Sequence, residues 1–82
     1  MENLKVKEWY LQTYTDDEYG EDILDNVTFY DVFLALDNYK DIYDTLFGNN
    51  GGDSIIRERV FAKLAEIMQV DYDYIYNQWL QC

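Results

Sequence analysis

Asp16, Asp17, Glu18, Glu21, Asp22 and Asp25 form the densest group of chemically capable side chains in this 82-residue sequence. Carboxylate oxygens of this kind suit hard cations such as calcium and magnesium. Their spacing does not: an EF-hand loop turning at Gly20 would need ligands from Thr15, Asp17, Tyr19 and Asn26, and only Asp17 is suitable. Weak, unspecific divalent binding is the expectation, with no dedicated metal site and no cofactor. Paired carboxylates also do general acid–base work when a cleft drives their pKa values apart, but so short a chain offers little room for a cleft. There is no histidine, Ser54 is the sole serine and Cys82 the sole cysteine, so neither a Ser-His-Asp nor a Cys-His arrangement can be assembled. The chain is expected not to be an enzyme. Gly48-Asn49-Asn50-Gly51-Gly52 lacks the lysine of a P-loop and precedes Asp53, a carboxylate where a phosphate would sit, so it reads as a connector.

The acidity extends beyond this group and is unevenly placed. Ten of the seventeen acidic residues lie between Thr15 and Asp44, where Lys40 is the one basic residue, so that stretch carries −9 of the net −11. The first fourteen residues are neutral and the last thirty-eight carry only −2. A field of this sign repels nucleic acid and anionic membrane and attracts basic protein surfaces. With 49% hydrophobic and 18% aromatic residues the chain is too apolar for a disordered acidic tail. It is expected to fold as a single domain over residues 1–82, small enough that most apolar side chains must be used inside. One cysteine cannot pair within the chain, and there is neither a membrane-length apolar run nor a basic, apolar secretory signal; a cytoplasmic protein is the expectation.

The elements that hold these groups have helical spacing. Between Thr28 and Phe47 the apolar residues Phe29, Val32, Phe33, Leu36, Tyr39, Tyr43, Leu46 and Phe47 recur at three and four, with Asp31, Asp37, Asp41 and Asp44 off the stripe. Thr28 with Asp31 makes an N-cap pair, and Asn38 with Asp41 repeats it. Lys40 falls inside the stripe, so one kinked helix and two consecutive helices both stay open. After the glycine-asparagine loop, Asp53 or Ser54 caps a helix with Ile56, Val60, Phe61, Leu64, Ile67 and Met68 on one face. Asp71 caps another that aligns Tyr72, Ile75, Tyr76, Trp79 and Leu80. Near the N-terminus Val6, Trp9, Tyr10 and Tyr14 favour a helix, with a short strand around Leu4 and Val6 as the alternative. Thr15 caps a short acid-rich helix that Gly20 would weaken. The spacing therefore predicts an all-α domain of four or five short helices, with Phe33, Leu36, Tyr43, Val60, Leu64, Ile75 and Trp79 in its core.

Leu64-Ala65-Glu66-Ile67-Met68-Gln69-Val70-Asp71-Tyr72-Asp73-Tyr74-Ile75 resembles the helix-turn-helix of bacterial repressors, with a Leu-Ala pair, a tight turn ending in valine and an isoleucine on the second helix. The resemblance implies a helix-turn-helix-like C-terminal half. It departs at Gln69, where that family usually has glycine, and in a second helix that would offer Tyr72, Asp73, Tyr74, Asn77 and Gln78 to DNA without lysine or arginine. Phosphate contacts supply most of the affinity for DNA, so the activity is not expected to accompany the scaffold. The whole chain resembles small acidic proteins of unassigned function carried by bacterial conjugative elements and phages, through Lys7-Glu8-Trp9-Tyr10-Leu11, Leu36-Asp37-Asn38-Tyr39-Lys40-Asp41 and Asp71-Tyr72-Asp73-Tyr74-Ile75-Tyr76. That likeness implies a genetic setting and no site residues.

Two functions fit. The first is a protein-interaction or accessory module acting through an acidic, tyrosine-rich surface, as a monomer or homodimer. Nine tyrosines exceed what a small core buries with every hydroxyl paired, and Tyr19, Tyr30 and Tyr74 lie off the main stripes. The candidate partner-binding residues are these three with Asp16, Asp17, Glu18, Glu21, Asp22, Asp31, Asp37, Asp41 and Asp44, and the partner is a protein with a basic surface. The second is a DNA mimic that blocks a nucleic-acid-binding enzyme, of the anti-restriction or anti-CRISPR type. Asp37, Asp41 and Asp44 are expected on one helical edge, with steps of about 6 and about 4.5 Å at the helical rise, comparable to the spacing of backbone phosphates. Crowded like charges also predict raised carboxylate pKa values between Asp16 and Asp44.

Overall fold

A computed structural model describes residues 4–15, 18–47 and 54–80. Asp16, Asp17, the 48–53 loop and Cys82 lie outside the described residues. The order is α1 (Val6–Thr13), a 3-10 helix (Glu18–Asp22), α2 (Phe29–Leu34), α3 (Tyr39–Phe47), α4 (Ser54–Met68) and α5 (Tyr72–Leu80). The domain is all-α, with five α-helices and no strand among the described residues. What the N-terminal strand alternative captures is one antiparallel bridge, Lys5 with Thr28. Its neighbours extend it: the Val6 amide donates to the Val27 carbonyl (2.8 Å) and the Phe29 amide to Leu4 (3.0 Å).

Residues 28–47 form two helices. At Thr28 the capping box is complete, the Thr28 hydroxyl accepting from the Asp31 amide and the Asp31 carboxylate from the Thr28 amide (2.9 Å). α2 ends at Leu34, and the turn at 35–38 is closed by the Asn38 amide donating to Ala35 (3.0 Å). Asn38 then starts α3, donating from its side-chain amide to Asp41 (2.8 Å) while accepting from the Asp41 amide (3.4 Å). Lys40 is exposed on α3, so it interrupts nothing. α4 begins at Ser54, and residue 53, one of the two cap candidates, lies outside the described residues.

The core gathers Val6 and Tyr10 of α1, Ile23 and Val27, Phe29 and Val32 of α2, Ile42, Leu46 and Phe47 of α3, and one face of α4 and α5. Leu36, Val60, Leu64, Ile75 and Trp79 are buried as the spacing predicts. Phe33 and Tyr43 are only half-buried. Phe33 stacks on the exposed Tyr30 at the edge of the core (6.3 Å, 29°), and the Tyr43 hydroxyl accepts a hydrogen bond from the Arg57 guanidinium (3.1 Å). Leu80, the last member of the α5 stripe, is 53% exposed because that stripe outruns the surface it packs on.

Gly20 allows the 3-10 helix to lie on α1: a Cβ there would stand 2.8 Å from Tyr10 Cδ1 and 2.6 Å from Leu11 Cδ2. The exposed Leu11 can move aside, but the buried Tyr10 ring cannot. The acidic segment is tied down further by Lys7, which donates to the Glu21 carbonyl (3.3 Å) and the Asp25 carboxylate (2.9 Å), and by the Leu24 amide, which donates to Leu46 (2.7 Å).

α4 and α5 meet through a Schellman turn. The Val70 amide donates to Ala65 (3.0 Å) and the Gln69 amide to Glu66 (3.2 Å), while Gln69 adopts φ 59°. This is the position where the helix-turn-helix resemblance expects glycine, and glutamine holds the left-handed conformation there at a steric cost of about 1–2 kcal/mol. Half-buried Val70 packs on the core and fixes the turn.

Candidate functional site

Most candidate residues lie on the surface, but not as one row. Glu18, Glu21, Asp22, Asp37, Asp41 and Asp44 are exposed, whereas Asp31 is half-buried and committed to the α2 cap. Asp41 also serves its helix, through Asn38. Asp37 sits in the turn ahead of α3, so Asp37, Asp41 and Asp44 do not share the continuous helical edge that even phosphate-like steps require. The helix break at 35–38 is the physical reason. Among the described residues no group of three histidine, cysteine, aspartate or glutamate side chains is placed to hold a metal ion.

At Asp25 the expectation of a raised carboxylate pKa is overturned. The hydrogen bond and charge of Lys7 hold Asp25 below the ordinary aspartate range. Local pairing outweighs crowding at that residue.

The tyrosines separate into two sets. Tyr10 is buried and Tyr14, Tyr43, Tyr72 and Tyr76 are half-buried, while Tyr19, Tyr30 and Tyr74 are exposed. Two arginines of α4 organise much of the inner set. Arg59 donates to the Tyr10 hydroxyl (2.6 Å) and lies 4.2 Å from the Tyr14 ring centre. Arg57 donates to Tyr43 and lies 4.5 Å from the centre of the Trp79 ring. Tyr72 is half-buried and stacks on Tyr76 (6.0 Å, 22°), and burial raises its hydroxyl pKa, with the Glu58 charge adding to the effect. Asp73, Tyr74, Asn77 and Gln78 do form the exposed side of α5.

Tyr74 lies at a groove of about 260 Å³ lined by Phe33, Leu34, Leu36, Asp37, Met68 and Gln78 with it. Phe33, Leu36 and Met68 are apolar and at least half-buried, Leu34 is 56% exposed and Tyr74 51% exposed. Tyr30 reaches the same region through its stacking on Phe33, so two of the three outward tyrosines meet here with one of the candidate carboxylates. Tyr19, Glu18, Glu21 and Asp22 sit on the 3-10 helix and do not line the groove. Leu34 and Met68 escape sequence reasoning. Leu34 lies off the apolar stripe and looks like an ordinary surface leucine, and Met68 looks like core until α5 is placed.

A second cavity of about 350 Å³ is lined by Trp9, Thr13, Tyr14, Arg59, Ala62, Lys63 and Glu66. Its two cations are already used: Lys63 pairs with Glu66 (3.4 Å) and Arg59 binds Tyr10 and Tyr14. No protein-family model, curated protein or solved structure matches this chain.

Proposed function

We propose that the chain is a non-enzymatic protein-interaction module of the cytoplasm that binds a protein with a basic surface through its acidic, tyrosine-bearing face. The observation that carries this reading is the meeting of Tyr74, Leu34 and Asp37 at one groove, with Tyr30 stacked on its wall. Tyrosine beside exposed apolar surface gives contact area at small entropic cost, and a surrounding negative field adds attraction and orientation. Seventeen acids against six basic side chains leave that field negative on balance.

A DNA mimic would seek the same kind of partner, but its evenly stepped carboxylates lose their geometric support at Asp37. Competition separates the two. A basic partner recovered with the tagged chain from the native host, lost on Tyr74→Ala and retained in excess duplex DNA, supports the interaction module. A partner displaced by DNA and indifferent to Tyr74→Ala supports mimicry, and retention under both treatments overturns both readings of the surface.

A further inference from the structure

The groove between α2 and α5 is lined by one carboxylate, Asp37, and α2, the 35–38 turn and α5 contain no lysine or arginine; exposed Asp73 adds a second acid on α5. α4 contributes Met68, whose flexible thioether adapts to an incoming apolar side chain. A second copy of the chain would bring another −11 and the same acid-bearing elements against it, and nucleic acid would bring phosphates, so both are repelled. A peptide that binds by strand addition needs a free sheet edge, and among the described residues there is no strand to provide one. A trough between helices instead suits a helix whose apolar side chains recur at i, i+3, i+4 and i+7.

We infer that this groove binds a basic amphipathic helix of a partner protein, its apolar stripe seated on Phe33, Leu34, Leu36, Met68 and Tyr74 and its lysines and arginines directed to the flanking acids. This identification of the partner rests on the interaction reading above. Such a helix needs no more than about 18 residues, about 27 Å at the helical rise, to cross the molecule; the domain's middle dimension is 27 Å.

The test uses the whole chain and two labelled synthetic peptides of leucine and lysine, identical in composition. One places leucine along a single helical stripe; the other has the order scrambled so that no stripe exists. Fluorescence anisotropy should show the striped peptide binding about tenfold more tightly than the scrambled one, the scale of losing an apolar anchor. Leu34→Asp is the discriminating variant, since it removes an exposed anchor while adding a negative charge. A seated helix then binds about tenfold more weakly, whereas attraction by charge alone would make it bind more tightly. Tyr74→Ala, also at an exposed position, should weaken the striped peptide alone. Equal binding of the two peptides, or tighter binding by Leu34→Asp, overturns the seated helix and leaves the basic-surface reading standing. Binding of neither peptide by protein with intact helical circular dichroism overturns both.

Discussion

Between Glu18 and Asp44 the charged side chains sit at helix starts or face outward, whereas on α4 the half-buried arginines lie against aromatic rings. The acidic half spends little of its charge on structure beyond two caps and the Lys7–Asp25 pair. The α4–α5 half turns its cations into cross-links, Arg59 to α1 and Arg57 to α3 and α5.

The largest effect that can sharpen this comparison is on the buried face of α4. Leu64→Ala should lower stability by about 2–5 kcal/mol, read from urea unfolding, because Leu64 is fully buried. A loss below that range would mean α4 is not the wall both halves share. Arg59→Ala should follow, at about 1–3 kcal/mol, combining a cation–π contact with a hydrogen bond to a buried tyrosine. Arg59→Lys should recover only part of this, since an ammonium cannot stack as a planar guanidinium does. Full recovery would reduce the cross-link to simple charge.

Gln69→Gly should act in the opposite direction, stabilising by up to about 1 kcal/mol, because glycine adopts φ near 59° without a Cβ clash. A destabilised variant would show that the unfolded-state entropy of glycine outweighs the relieved strain. In the acidic half, Asp37→Asn with Asp44→Asn should change stability by no more than about 0.5 kcal/mol and reduce the rise of Tm with added salt. Asp41 is left out of that pair because Asn38 holds its carboxylate.

The smallest effect is the pH response of Asp25. Its folded pKa is depressed by Lys7, so its stabilising contribution is present above the unfolded value of about 3.9 and lost as pH falls through the lower folded value. Asp25→Asn should therefore differ from the parent at neutral pH and converge with it in strong acid. A difference that persists unchanged in strong acid would remove Lys7 as the cause.

The helices were legible because their periodicity and caps are local: Thr28–Asp31 and Asn38–Asp41 are three residues apart and close as their spacing implies. The groove was not. It joins residues 33–37 with 68–78, so Leu34 acquires meaning only when α5 is in place. The ring contacts of Arg57 and Arg59 were not legible either, because their partners are scattered from Tyr10 to Trp79. Gly20 carries the same lesson: its packing role shows only when α1 is laid across it.

The bond from Leu24 to Leu46 and the bridge from Lys5 to Thr28 lead us to expect an order of assembly. α4 and α5 can pair across a tight turn, while these two links must close long loops through the most strongly self-repelling part of the chain. Ionic strength therefore acts as a kinetic control as well as a stabiliser: screening the loops should lengthen the folding limb of the chevron toward faster rates, leaving the nascent α4–α5 hairpin as the platform on which the acidic segment is laid last.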